Sequence, residues 1–287
     1  MKRLLIVCMC LLFGLTLTQA QMVINVMDPN DFQNREAIDD LQLTAQYQLS
    51  FVGNAQQPDK LTDETMMLQV GTKASLFYSY TRFVTDSIMV EQMKKAEGGN
   101  RQFRQEGNAG MITYRIYKNY PTGKVTTLDQ IATSRFRCEE NNEMPQWELH
   151  ADTLTLLSYP CRKATTHFKG RDWTVWYTPD IPRSEGPWKL YGLPGLILKA
   201  EDAEQHFSFT CSGIEQAKNT DSILFGAKNY QSVSRKELNR TYERFAADPI
   251  GFITSSSPNI KVMIQNEAGD KIDPKNSPYN PIERSTK

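Results

Sequence analysis

The chain has 287 residues, 39% of them hydrophobic and 23% charged, and its 33 basic side chains balance 33 acidic ones. With no basic stripe and no acidic tail, that balance argues against nucleic-acid binding and against a partner held by net charge. The length suffices to bury a sizeable core, as one large domain or two small ones.

Lys2 and Arg3 precede an apolar run from Leu4 to Leu17, interrupted by Gly14 and Thr16, and Thr18-Gln19-Ala20 offers a small-residue cleavage site. This is the layout of a secretory signal peptide over residues 1–20, with Gln21 as the mature N-terminus. The run is shorter than the ~20 residues of a spanning helix, and no later segment is long and apolar enough. The expectation is an exported protein, soluble after signal cleavage, with no membrane span, in the periplasm or outer envelope. Cys8 and Cys10 lie inside the apolar run, which argues against a lipid-anchored Cys at the mature N-terminus. Cys138, Cys161 and Cys211 remain. An oxidising compartment permits one disulfide among them, and the sequence does not choose the pair. One bridge plus a buried Cys is a simpler account than a reactive or metal-binding thiol.

Strands dominate the mature chain. Leu41, Leu43, Ala45, Tyr47, Leu49 and Phe51 alternate with polar residues, the period of a strand with one buried face. Met66, Leu68 and Val70 repeat the pattern, and Leu76 and Tyr78 continue it. A helix is expected from Ile88 to Ala96, ending at Gly98-Gly99. Ile112, Tyr114 and Ile116 form a strand closed by the Tyr120-Pro121-Thr122-Gly123 turn; Ser134–Glu139 and Gln146–His150 are further candidates. Ala164, Thr166 and Phe168 lead into a Lys169-Gly170-Arg171-Asp172 hairpin turn, and Trp173, Val175 and Tyr177 alternate on the return. After a Pro- and Gly-rich loop from Pro179 to Pro187, Leu196–Ala200 and the Phe207, Phe209, Cys211 series complete an antiparallel meander.

Ser234 and Glu237 have capping-box spacing, and Leu238, Tyr242 and Phe245 give a helix one apolar face. Asp248-Pro249 stops that helix. Ile250–Ile253 and Ile260–Ile264 read as late strands, and residues 265–287 as a polar tail. The predicted fold is mainly β: a curved antiparallel sheet or open half-barrel with one or two packed helices, as a single domain over residues 21–264. A separate N-terminal subdomain ending near residue 105 is the alternative organisation.

The familiar catalytic signatures are missing: no Gly-x-Ser-x-Gly, no phosphate-binding Gly loop ending in Lys-Ser/Thr, no His-Glu-x-x-His. His150, His167 and His206 show no metal-ligand spacing, and the methionines are scattered as core filler. His167 and His206 could meet across the sheet, although solvated strand histidines are the simpler account. No cofactor is implied.

All four tryptophans fall between Trp147 and Trp188, just before Tyr191-Gly192-Leu193-Pro194-Gly195-Leu196-Ile197-Leu198. Proline and glycine at the centre suit a tight turn. The segment fits a core corner of the sheet, and it also fits an aromatic binding surface. At these residues the chain resembles the GLPGLI family of exported Bacteroidetes proteins. The likeness extends to Cys161-Arg162-Lys163-Ala164-Thr165-Thr166, Gly170-Arg171, Trp176-Tyr177-Thr178, Ile181-Pro182, Gly186-Pro187-Trp188 and Asn280-Pro281-Ile282-Glu283, its specific part covering residues 145–215. The resemblance implies export and carries no activity and no catalytic residues.

The preferred expectation is a non-enzymatic envelope protein that binds an apolar, lipid-like ligand, a peptide or a protein partner. Trp173, Trp176, Trp188, Leu193, Pro194 and Gly195 would form its surface, with Lys163 and Arg171 as anchors for an anionic group. One alternative is a hydrolase assembled from His167, His206, Asp180 and Cys161; another is metal handling by histidine and methionine.

Overall fold

The computed structural model describes residues 35–95, 110–218, 220–256, 264–265, 271–272 and 279–284. The predicted signal peptide, Gly98-Gly99, residues 260–263 and much of the 265–287 tail lie outside the described residues. In chain order the strands of the main sheet are β1 (Glu36–Val52), β2 (Leu61–Gly71), β3 (Ser75–Ser79), β4 (Arg115–Lys118), β5 (Lys124–Ile131), β6 (Ser134–Asn141), β7 (Glu148–Leu156), β8 (Tyr159–Phe168), β9 (Arg171–Thr178), β10 (Leu196–Asp202), β11 (Phe207–Gln216), β12 (Ser222–Phe225) and β13 (Gln231–Val233). The helices are α1 (Tyr80–Lys95), α2 (Arg235–Ala247) and α3 (Pro249–Ser256). Ile264–Gln265 pairs separately with Lys271–Ile272.

The protein is mainly β, and its sheet is open. The strand order is β13-β6-β5-β4-β3-β2-β1-β11-β10-β9-β8-β7, with β12 paired to the start of β1. All these pairings are antiparallel except β13 with β6. The alternating strand β1 is the seam: it pairs with β2 on one side and β11 on the other, joining the two halves of the chain into one sheet.

Residues of β1–β5 and β8–β11 share one apolar cluster. Strands that far apart in the order meet only if the sheet bends round that face. Leu43, Ala45, Tyr47, Leu49 and Phe51 are all buried in it, as their period of two requires. The opposite face carries a smaller cluster of Leu41, Leu76, Tyr117, Leu128, Ile223 and Phe225 beneath β12.

On β5, Val125, Thr127, Asp129 and Ile131 share a face. Val125 joins the main core, Asp129 accepts a hydrogen bond from Tyr242 of α2, and Ile131 packs with α2 and α3. These two helices therefore lie on the inner face at its β5–β6 end. The Ser234–Glu237 capping box forms as the spacing predicts. The chain does stop at Asp248, but it restarts as a helix where a strand was expected over Ile250–Ile253. Asp248 Oδ1 accepts from Gly251 N at 2.9 Å, and Pro249 occupies the first helical position. There its missing N–H costs nothing. Helix α1 begins at Tyr80, eight residues before the expected Ile88.

Candidate functional site

The four tryptophans do not form one surface. Trp173 and Trp188 are 1% and 2% exposed, with ring centroids 5.6 Å apart and Phe168 edge-on to Trp188 at 6.0 Å. Leu193 and Gly195 are buried with them, while Pro194 is exposed. Trp176 is half-buried on the other face of β9, opposite Lys163 of β8.

The Pro- and Gly-rich loop of residues 179–195 folds back onto β10. Leu196 N donates to Ile181 O at 3.0 Å and Ile197 N to Glu185 O at 2.9 Å. Gly195 N donates to Leu193 O at 2.8 Å, so the turn closes on Pro194 as a three-residue turn, tighter than the four-residue turn expected. A β-carbon at Gly195 would fall 2.1 Å from Thr178 O, so the backbone approach itself requires glycine. From across the sheet, buried Lys118 of β4 holds this loop: its Nζ lies 2.6 Å from Glu185 and donates to Gly186 O at 2.8 Å. Tyr47 Oη donates to Ile197 O at 2.6 Å. The inner face is thus filled by the chain's own loop, with Trp188 as its largest buried plug.

Arg171, an expected anion anchor, is 2% exposed and fully engaged. It donates from Nη1 to Asp202 at 2.6 Å, from Nε to Ile282 O at 3.0 Å, and from Nη2 to Asn280 Oδ1 at 2.9 Å and Pro281 O at 2.7 Å. Phe207 lies under its guanidinium at 4.6 Å. The residues 279–284, here called the strap, are thereby bound across the ends of several strands. Asn280 Nδ2 donates to Val52 O at 2.7 Å, and Arg284 pairs with Glu204. Glu283 lies 2.7 Å from Lys189, which also contacts Glu140 at 2.6 Å, and Arg235 of α2 reaches Glu140 at 2.6 Å.

Burial opposes the charge on Glu140, but Lys189 and Arg235 outweigh it and hold its carboxyl down at about 2. An unfolded Glu titrates near ~4.3. Ionised Glu140 therefore contributes its full stabilisation above that value and loses it as pH falls from about 5 towards about 2. Glu140→Gln should abolish this share: between pH 7 and pH 3, urea unfolding should show a smaller loss of stability for the variant than for the parent. Parallel losses would contradict the assignment.

Among the described contacts, no hydrogen bond joins any two of the four groups of the hydrolase alternative, although burial and, after it, the nearby charge of Asp180 raise the pKa of Cys161. His167 Nδ1 is 2.6 Å from Asp172 across its own hairpin turn, where both are exposed. His206 Nδ1 lies 3.1 Å from Glu204, at an angle that makes no hydrogen bond. Asp180 is exposed. Cys161 is buried and directs its thiol to Tyr159 O at 3.5 Å; burial pushes that thiol's pKa up, away from a nucleophile's. Asp202, Glu204 and His206 bring ligand atoms within 4.8 Å of one another. Asp202 and Glu204 are already bound by Arg171 and Arg284, two cations that a metal ion would have to displace.

Cys138, Cys161 and Cys211 are all buried free thiols in this structure. Cys138 packs in the helix cluster, and the other two in the main core. In the sheet, β9 and β10 lie between Cys161 of β8 and Cys211 of β11. A disulfide accepts no more than about 7 Å between α-carbons.

Among the described residues, a cavity opens on the outer face over β3 and β4. It has a volume of about 140 Å³ and is bordered by α1 and β12. Leu76, Tyr78, Phe83, Tyr114 and Tyr117 line it, and Arg35, Arg82 and Arg115 bring three guanidinium groups, with no carboxylate among its described lining residues. Arg115 Nη2 donates to Tyr230 Oη at 2.6 Å, and Arg82 pairs with Asp86 at 3.0 Å. Burial pushes the Tyr78 phenol up to about 12, so it stays a neutral hydrogen-bond donor. No sequence pattern marks a site here. Tyr78 reads only as a strand position, and Arg35, Arg82 and Arg115 have no common spacing.

The family model described as "Protein of unknown function (Porph_ging)" matches residues 168–199, from the end of β8 through the inner loop into β10. No curated protein matches the chain. Among solved structures, two crystal forms of PNGF-II, in space groups P21 and C2, align with TM-scores of 0.47 and 0.46, each at 15% identity. They cover 70% and 69% of this chain and 32% of PNGF-II, so the chain spans about a third of that protein's length.

Proposed function

We propose that this chain is an exported envelope protein that binds, without chemical conversion, a small apolar molecule carrying an anionic group. The observation that carries this reading is the lining of the outer cavity: aromatic and aliphatic walls, three arginines and no carboxylate among the described lining residues. An apolar cavity of roughly 150 Å³ admits a benzene-sized ring. A ligand carboxylate would share these guanidinium groups with the contacts they already make, Arg82 with Asp86 and Arg115 with Tyr230 among them, and charge-assisted pairs with arginine are stronger than neutral hydrogen bonds.

Export is supported by Lys2, Arg3, the Leu4–Leu17 run and Thr18-Gln19-Ala20, and by the resemblance to the exported GLPGLI proteins around residues 192–197. Among the described residues no helix is long and apolar enough to cross a membrane. Binding is preferred to catalysis because His167 and His206 lie beside Asp172 and Glu204 rather than beside each other, and burial raises the pKa of the Cys161 thiol.

Calorimetric titration with phenylacetate, benzoate and benzyl alcohol tests the ligand class. The two acids should bind saturably and at least tenfold more tightly than the alcohol, a difference of about 1.4 kcal/mol. Leu224→Trp, at a half-exposed lining position, should fill the cavity and remove binding. Equal affinities for acid and alcohol, or binding unaffected by Leu224→Trp, would contradict the reading.

A further inference from the structure

We infer that the cleft occupied by the strap is a peptide-recognition site, filled here in cis and able to take the same segment, Tyr-Asn-Pro-Ile-Glu-Arg, from a second copy of the chain. The cleft is assembled from many elements: the end of β1 at Val52, the β8–β9 turn at Lys169 and Arg171, the β10–β11 turn at Asp202 and Glu204, Lys189 of the inner loop, Glu140 of β6, and α2.

It reads the strap position by position. Tyr279 stacks on Tyr242 at 5.2 Å with the rings 11° from parallel. Asn280 is held on both sides of its amide, by Arg171 and by Val52 O. Pro281 and Ile282 present their carbonyls to the Arg171 fork. Glu283 meets Lys189, and Arg284 meets Glu204 while its backbone N–H donates to Lys169 O at 3.0 Å. Main-chain contacts give affinity, and flanking charges of both signs give sequence preference.

Three of the four hydrogen-bond acceptors of buried Arg171 come from the strap, and only Asp202 is supplied by the sheet. With the strap away, Arg171 would keep Asp202, with Glu204 at 3.7 Å, and water would replace the three strap acceptors, so a peptide in the cleft competes with solvent for the guanidinium. The strap is joined to α3 by residues 257–278, within which Ile264–Gln265 pairs with Lys271–Ile272; the roughly 13 residues outside that hairpin reach at most about 40 Å. That length does not confine it to its own cleft, and a tethered occupant competes with a free one through its effective concentration.

The test uses the full chain with Asn280→Ala and Arg284→Glu, which loosen the cis strap, and fluorescein-labelled Tyr-Asn-Pro-Ile-Glu-Arg followed by anisotropy. The loosened variant should bind the peptide saturably and at least tenfold more tightly than the parent, and a scrambled peptide should not bind. Arg284→Glu alone, a change at the exposed end of the strap, serves the same comparison if the pair fails to fold. Glu204→Gln added to the loosened chain should erase its preference for the peptide ending in Arg over one ending in Ala. Absence of saturable binding, equal binding by parent and variant, or indifference to peptide order would overturn the inference.

Discussion

Arg171→Met should lower unfolding free energy by about 3–5 kcal/mol. The substitution keeps much of the side-chain volume, so lost packing contributes little. What it removes is the partner of Asp202, a carboxylate that is 1% exposed, together with the donors to Asn280 Oδ1, Pro281 O and Ile282 O. Asp202 keeps the Phe207 N–H at 2.7 Å and the more distant charge of Arg284. Breaking one side of a buried pair costs more than the pair itself contributes, because the remaining charge is stranded. Urea unfolding measures the loss directly, and Tm should fall by roughly 10 °C or more. Adding Asp202→Asn should recover part of the loss, since the stranded charge is then gone. A loss below about 1 kcal/mol, the range of exposed pairs, would show that Arg171 is not the hub of the strap.

Trp188→Ala should be of similar size, about 3–5 kcal/mol, for a different reason. Trp188 has φ 53°, a left-handed backbone that costs a bulky residue roughly 1–2 kcal/mol. It holds that conformation because its indole is packed against Trp173 and Phe168 in the centre of the inner face. Burying an indole is worth about 4 kcal/mol or more at ~25 cal/mol per Å², so packing outweighs the backbone cost. Alanine at 188 keeps most of that backbone cost and loses the burial. Trp188→Phe should be intermediate. If Trp188→Ala proved nearly neutral by urea unfolding, the loop would be a removable cover and the inner face a binding cleft after all.

Where one face is wet, the fold is legible in the residue pattern. Leu43 to Phe51 alternates as its residues predict and lines the inner face of β1, whereas Leu41, beyond a bulge in the pairing with β2, packs on the opposite face. The Ser234–Glu237 box and the Lys169–Asp172 turn also appear where their residues place them. β5 escapes such a reading because Val125, Thr126, Thr127, Leu128 and Asp129 are buried on both faces, leaving no alternation to detect. α3 reads as a strand because a short apolar run has no period long enough to distinguish strand from helix.

The candidate residues are harder to assign. A cluster of tryptophans looks the same in a core as on a binding surface, and only the return of residues 179–195 across the sheet buries Trp173 and Trp188. Arg171 is visible as a charge. Its partners Asp202 and Asn280 lie 31 and 109 positions away, beyond any local spacing rule.

The central claim is that the inner face is closed by the chain's own loop and that ligand enters the cavity over β3 and β4. Amide and indole N–H chemical shifts of the ¹⁵N-labelled protein, followed during titration with phenylacetate, test this most directly. The account predicts shifts concentrated at Leu76, Tyr78, Thr113 to Tyr117 and Leu224, with the Trp173 and Trp188 indole signals unmoved. Shifts at those two indoles, with the β3–β4 amides silent, would contradict it.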